Sequence, residues 1–331
     1  MDIVIINIFF SLILSFLLTF YLIPFFCVIA QRFQFVDRPD GVLKKQKDAV
    51  PYMGGIAVYC GFLITLAFVC PAQSKLFLLI IGSTILLFVG FLDDAVAMKP
   101  LQKLFGQIIA TFCFLKAGFY LKEQFFYNFW NIPISALWIL TVINAFNLID
   151  VMDGLATLVA LTAAITFFII AGFLQLTSVM IILGAFIGAL AAFFWYNKPH
   201  ARIYLGDAGS LFIGGFMAVV PFLFNWGYYN VYGSCTPFII LAIPLLELAG
   251  LILIRSYKRI PFYNGSPDHF SCYLLSKGWS KASVLLYISG LSILVAGVSF
   301  LFVTNKISIV TTVAMAVFFL VIWVYNLKKA L

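Results

Sequence analysis

Two asparagines and two aspartates recur at every third position in Asn144-Ala-Phe-Asn147-Leu-Ile-Asp150-Val-Met-Asp153-Gly154, between two apolar runs. A polar group buried there without a partner costs about 2–7 kcal/mol. Spacing of i, i+3 puts the four side chains on one face of a helical turn, so two amides and two carboxylates converge on one small volume. Asp153 alone could simply be an acid favoured near the N-terminus of the next helix. Capping does not account for four such residues in register.

Two further clusters have the same flavour. Asp93-Asp94 stands where an apolar run ends, followed by Lys99, Lys103 and Gln107. Adjacent carboxylates repel, and at an apolar boundary they call for a cation. Mg²⁺, with Mn²⁺ as a substitute, fits, because it takes oxygen ligands from one or two carboxylates plus substrate phosphates. Solvation of a helix end is the plainer alternative. Gly206-Asp207-Ala-Gly209-Ser210 leads directly into an apolar run, offering backbone N–H groups, a hydroxyl and a carboxylate. A helix N-terminus so equipped suits a phosphate and its metal. Lys47 precedes Pro51 by four residues, and the pair Gly54-Gly55 opens the next run, allowing close packing or close approach of a ligand. Lys44 and Lys45 read as topology signals. His269 lies in the one sizeable polar loop, while His200 is given no role. Glu247 suits an ion pair with Arg255 or Lys258 as well as it suits function.

The elements that must position these residues follow from composition. Of 331 residues, 64% are apolar and 10% charged, and the mean hydropathy is +1.12. Apolar runs of about 17–27 residues follow one another with short breaks, which predicts an all-α polytopic membrane bundle. The expected spans are Ile3–Ala30, Met53–Cys70, Leu76–Leu92, Lys103–Tyr120, Ile132–Asn147, Leu155–Leu174, Val179–Trp195, Leu211–Phe224, Pro237–Ile254, Val284–Val303 and Ile307–Leu327, about eleven transmembrane helices. Residues 1–331 form one integral-membrane domain, with cytoplasmic loops near 31–52, 93–102, 148–154, 196–210 and 255–282. The first run lacks a basic leader and a cleavage site, so it reads as an anchor.

Of the 20 Lys and Arg residues, all but Lys75, Lys116, Lys122 and Lys306 fall on one side of this arrangement. The positive-inside rule then puts the N-terminus outside and the C-terminus in the cytoplasm. The net charge of +8 serves orientation and anionic-lipid contact, not nucleic-acid binding, because no basic, aromatic-bearing soluble surface exists. Of the 12 acids, all but Asp2 and Glu123 face the cytoplasmic side. Acids obey no inside rule of their own, so their gathering argues for a site there. The six cysteines show no metal spacing and imply no disulfide framework.

Taken together, Lys47…Pro51-x-x-Gly54-Gly55, Asp93-Asp94 with Lys103, Asn144-x-x-Asn147-x-x-Asp150-x-x-Asp153-Gly154, and Asn197…Gly206-Asp207-x-Gly209-Ser210 resemble the polyprenyl-phosphate N-acetylhexosamine-1-phosphate transferase superfamily. That group (glycosyltransferase family 4) holds the phospho-MurNAc-pentapeptide translocases and the GlcNAc-1-phosphate transferases. The resemblance runs from about Arg38 to Lys281. Two positions depart from it: only His269 stands where the family carries a histidine cluster, and Glu247 replaces a usual aspartate.

The resemblance implies transfer of a sugar-1-phosphate from a UDP-N-acetylhexosamine to a polyprenyl (undecaprenyl) phosphate lipid, releasing UMP. This would be the first membrane step of a cell-envelope glycan, at the cytoplasmic face of a bacterial inner (plasma) membrane, with room for a homodimer. Asp207 would ligate Mg²⁺. Asp93 and Asp94 would deprotonate or orient the lipid phosphate and help hold the metal. Lys47 and Lys103 would neutralise phosphate charge. Asn147, Asp150, Asp153 and Asn197 would shape the uridine and metal pocket, and His269 would contact diphosphate or sugar. Two other readings are an ion-coupled secondary transporter, which also buries carboxylates in a bundle, and an inactive binding relative. The acids' position at span ends on one side, without an internal repeat, disfavours the transporter.

Overall fold

The computed structural model describes residues 2–37, 49–71, 74–122, 128–261 and 268–328. Lys47 lies outside them. Long apolar stretches form helices, even across Pro24 and Pro133, since in lipid every backbone N–H and C=O must be satisfied within the segment. In order these are α1 (Asp2–Arg32), α2 (Gly54–Val69), α3 (Ser74–Val96), α4 (Pro100–Lys116), α5 (Asn128–Ile149), α6 (Leu155–Phe173), α7 (Thr177–Asn197), α8 (Gly206–Val219), α9 (Thr236–Ile240), α10 (Ala242–Tyr257), α11 (Phe270–Ser276), α12 (Lys281–Val303) and α13 (Ile309–Lys328). Besides these helices, a two-strand pairing joins β1 (Val36–Asp37) to β2 (Val50–Pro51), antiparallel with Val36 opposite Pro51.

A helix stands at each of the eleven predicted spans, yet not each is a crossing by length and hydropathy. Among the described residues seven helices are long and apolar enough to cross a membrane, namely α1, α3, α5, α6, α7, α12 and α8 with its 3₁₀ extension to Leu223. The segment Gly233–Ile240 plus α10, bent by 68°, makes an eighth if counted as one span. The apolar stretches of α2 and α13 are shorter, and α4 has only 17 residues. Helix α11, inside the last polar loop, was not foreseen.

Helix α8 is the axis of the bundle and packs against α2, α3, α5 and α6. All but one of its residues are buried. Its Phe212 and Phe216 pack against Phe62 of α2 and Phe186 of α7, edge-on in the pairs Phe62–Phe216 and Phe186–Phe212 and tilted in the other two. Outer helix faces expose Phe9, Phe68, Phe105, Phe112 and Leu253, as befits a surface solvated by lipid. There apolar burial does not drive association, and close backbone approach does. One such approach sets the site. A Cβ on Gly90 of α3 would collide with the backbone carbonyl of Asp207 and the N of Ala208, so α3 lies directly on the first turn of α8.

Candidate functional site

Gly90 brings α3 onto α8, and one turn later α3 presents Asp93 and Asp94. Asp94 accepts the backbone N–H of Asp207 at 2.9 Å on one oxygen and that of Ala208 at 3.1 Å on the other. Two of the unpaired N–H groups that every helix N-terminus carries are thus met by a carboxylate from another helix, and the α8 dipole favours its charge. Gly206 makes this possible: its φ is 70°, and a Cβ there would stand 2.6 Å from an Asp94 oxygen.

Beneath, Lys103 from the first turn of α4 is the hub. Its ammonium donates to Asp207 Oδ2 at 2.6 Å and Asn147 Oδ1 at 3.0 Å, and pairs with Asp93 Oδ2 at 2.8 Å. Asn147 returns its amide to Asp207 Oδ1 at 2.7 Å and to Ser210 Oγ at 2.9 Å. Asp93 Oδ1 accepts the Met98 N–H at 2.7 Å, holding the turn between α3 and α4. Four helix ends therefore meet at Asp93, Lys103, Asn147 and Asp207. Asn144, one turn deeper on α5, exchanges two hydrogen bonds with Gln107 of α4, at 2.8 and 3.2 Å.

The expectation that Asn144, Asn147, Asp150 and Asp153 share one helical face is corrected here. Helix α5 stops at Ile149, and Gly154, with φ 76°, reverses the chain into α6. Only the two asparagines are helical. Asp153 does not cap α6; its Oδ2 takes Lys281 of α12 at 2.8 Å and the Ala201 N–H at 3.4 Å. Asn197 staples the same corner, accepting from Gly154 N–H at 3.0 Å and Thr157 Oγ1 at 3.2 Å and donating to the Ile203 carbonyl at 2.9 Å.

Above this floor opens a cleft of about 1330 Å³ lined by Asp37, Asp93, Asp94, Asp150, Asp153, Asn197, Asp207 and Lys281, with Tyr52 and Tyr204 on one wall. Burial and a hydrogen bond to Asp37 push the Tyr52 phenol up, and burial takes Tyr204 to about 12, so both are neutral donors at pH 7. Asp150 is the exposed nerve of the site. Its carboxylate has no hydrogen-bond or ion-pair partner among the described residues. Burial, with the charges of Asp207, Asp94 and Asp153 added, holds it well above the usual carboxylate range. Six aspartates line the cleft against Arg202 and Lys281, so the excess of negative charge favours a further cation there.

The donor set bears on whether Mg²⁺ fits the cleft. Among the described residues no three His, Cys, Asp or Glu side chains form a ready cage. Mg²⁺ does not need one, since one or two carboxylates plus substrate phosphates suffice. Asp150, without a partner among the described residues, lines the same cleft as Asp93 and Asp207, which fits that pattern.

Two foreseen residues stand elsewhere. His269, the residue before α11, is buried and absent from the cleft lining; its Nδ1 lies 3.1 Å from Glu247 Oε1, which also accepts the Phe270 N–H at 3.2 Å. Glu247 therefore meets His269, while Lys258 pairs with Asp268 at 2.6 Å. The glycine pair serves packing: Gly54 and Gly55 donate to the carbonyls of Tyr204 and Leu205, each at 3.0 Å, and Gly55 abuts the Gly209 backbone. Lys281, Tyr52, Tyr204 and Asp37 were missed. Tyr52 and Tyr204 fall at unspecified positions of the Pro51 and Gly206 motifs, and Lys281 is one lysine among many in sequence.

The profile of glycosyl transferase family 4 matches residues 76–225, which include every member of the floor network. The chain is similar to the probable undecaprenyl-phosphate N-acetylglucosaminyl 1-phosphate transferase of Bacillus subtilis (strain 168), 27% identical over 295 residues, 85% of this chain and 81% of that protein. It is 32% identical over 267 residues to the phospho-N-acetylmuramoyl-pentapeptide-transferase of Lacticaseibacillus paracasei, covering 72% of this chain and 79% of that one. The enzyme of the same name from Listeria monocytogenes is 27% identical over 322 residues, 86% and 94% of the two chains.

Proposed function

We infer the reaction from the premise that this chain belongs to glycosyl transferase family 4, the phospho-sugar transferases acting on polyprenyl phosphate. It transfers a sugar-1-phosphate, of N-acetylhexosamine type, from a UDP-sugar to polyprenyl phosphate. An oxygen of the lipid phosphate attacks the sugar-bearing phosphorus, the bond to UMP breaks, and lipid-diphosphate-sugar remains in the membrane.

The observation that carries this reading is the Asp93–Lys103–Asn147–Asp207 network at the floor of an acid-lined cleft. Both substrates are polyanions, so the barrier is mainly charge repulsion, and catalysis consists of positioning and neutralisation. Lys103 supplies fixed positive charge, held in place by three partners. Asp207, Asp150 and Asp93 are the side chains that would hold Mg²⁺, or Mn²⁺ in its place. The ion when bound supplies charge neutralisation at the phosphates. Asp94 keeps the first turn of α8 and hence Asp207 at its station. It orients rather than touches the reacting group. Asp153 with Lys281, and Asn197, shape the wall for the nucleotide. His269 acts on the donor through α11, whose Cys272 and Leu275 line the cleft.

The cleft faces the cytoplasm, the N-terminus lies outside, and the eleven helices form the bundle of a bacterial inner-membrane protein. Support comes from the sequence, whose basic residues divide sixteen to four, with only Lys75, Lys116, Lys122 and Lys306 on the predicted outer side.

The test is direct. Purified protein in micelles, given polyprenyl phosphate and a panel of radiolabelled UDP-sugars with Mg²⁺, should yield labelled lipid with one N-acetylhexosamine donor and release UMP. Binding of UDP-sugar without any lipid-linked product or UMP would leave the chain an inactive relative and refute the transfer.

A further inference from the structure

Beside the main cleft the chain folds a second hollow of about 270 Å³, lined by Trp195, Tyr196, Lys198, Pro199, His200 and Arg202. Helix α7 ends at Asn197, and His200 then takes a left-handed conformation, φ 67°. The Arg202 N–H closes the loop on the Tyr196 carbonyl at 2.9 Å. Three basic side chains at alternate positions thus wrap the end of a membrane helix. All three are exposed. No acid lines the hollow, and among the described residues none of the three meets a carboxylate. The Lys198 ammonium is held 3.8 Å from the centre of the Trp195 ring.

A plainer account is at hand: cations complement a helix C-terminus and mark the cytoplasmic side. That explains the charges. It does not explain their convergence on one concavity. Nor does it explain a lysine pinned over an indole. Trp195 is 58% exposed in the last turn of a spanning helix, the depth at which interfacial aromatics meet lipid headgroups. The hollow is smaller than the roughly 300–1,000 Å³ that drug-sized ligands occupy, so a whole nucleotide-sugar is a poor fit. A phosphate is a good one, since its oxygens take charge-assisted hydrogen bonds from Arg and Lys.

We propose that Lys198, His200 and Arg202 form a seat for the phosphate of a membrane-lipid headgroup, with Trp195 packing against the lipid just below it. His200 and Arg202 also line the main cleft, so a lipid held here stands at its rim. The phosphate could belong to an anionic phospholipid or to a polyprenyl phosphate waiting to react, and the seat itself does not require that the chain catalyse anything.

Native mass spectrometry of the detergent-purified chain tests this without turnover. The protein is titrated in turn with phosphatidylglycerol, polyprenyl phosphate, phosphatidylcholine and inorganic phosphate. One saturable lipid should bind from the first or second titration and not from the neutral lipid. Each basic residue near a membrane surface contributes about a fivefold gain in affinity. Lys198→Gln should therefore weaken binding about fivefold and Lys198→Gln with Arg202→Gln about 25-fold. Lys277→Gln, an exposed lysine elsewhere on the same face, should leave it unchanged. Tighter binding of phosphatidylglycerol assigns the seat to a bilayer lipid, and tighter binding of polyprenyl phosphate assigns it to the acceptor. If the double variant fails size-exclusion chromatography, the single Lys198→Gln value decides. The proposal is overturned if Lys277→Gln weakens binding as much, if Lys198→Gln has no effect, or if inorganic phosphate binds and neither lipid does.

Discussion

Replacing Asp207 by asparagine keeps the shape of the side chain and removes its charge. In the structure Oδ2 of Asp207 receives Lys103 at 2.6 Å and Oδ1 receives the Asn147 amide at 2.7 Å. An asparagine must turn its NH₂ toward one of these two donors, so one of them loses its acceptor in either orientation. A hydrogen bond to a charged group contributes about 1.5–3 kcal/mol. The Asp207 side chain is 33% exposed, and solvent screening discounts that stability cost to about 1–2 kcal/mol. The fold therefore survives. Activity should not: loss of one stabiliser of developing charge lowers kcat by about 10²–10³-fold, and here the side chain proposed to hold Mg²⁺ goes with it. The assay is single-turnover transfer of labelled sugar-phosphate to polyprenyl phosphate across a Mg²⁺ titration, paired with thermal unfolding in the same detergent. A variant with full activity, in chelator above all, would refute both the metal assignment and the neutralisation argument. An inactive variant that no longer unfolds cooperatively would show that Asp207 is structural.

Asp150→Asn should act in the opposite sense on stability. Its carboxyl is held above the unfolded value of about 3.9, so the folded state binds the extra proton and ionisation costs stability as pH rises through and above that value. In chelator at pH 7 the asparagine variant should unfold at a higher temperature than wild type, and added Mg²⁺ should raise its unfolding temperature less than that of wild type; a lower temperature in chelator would sink the unpartnered-carboxylate reading. Gly90→Ala drives a methyl into the first turn of α8; overpacking of this kind costs about 1–3 kcal/mol, and activity should fall with it, whereas unchanged melting and turnover would mean the α3–α8 contact is not tight. His269→Ala should raise the KM for donor more than it lowers kcat, because the residue holds α11 through Glu247 rather than touching the reacting groups; a drop in kcat at unchanged KM would make it catalytic. For orientation, single cysteines at exposed Ser276 and Lys306 in a cysteine-free background should react with impermeant reagent in intact cells at 306 and not at 276, and the reverse would invert the bundle.

Hydropathy is a local property, and lipid leaves a backbone little choice but helix, so each predicted span is helical in the structure. The gathering of acids was equally legible, because alternating short breaks decide which helix ends are neighbours. Hence Asp93, Asp94, Lys103, Asn147 and Asp207 are legible as site residues from the sequence. What each does was a different matter. Asn144 and Asn147 are indistinguishable by type and spacing, yet one pairs with Gln107 and the other serves Asp207. The choice was made by the rotation of α4 and α8 against α5. Asp150 and Asp153 looked like a continuation of that helix until Gly154 reversed the chain and sent Asp153 to Lys281, 128 residues away. Periodicity carries no record of pairings at such separations. The same holds for His269, whose polar loop suggested a ligand-facing side chain until α10 offered it a buried carboxylate. An isolated chain specifies which residues lie at the membrane's edge. Only packing decides which of them are satisfied by one another, and which, like Asp150, are left facing the cleft.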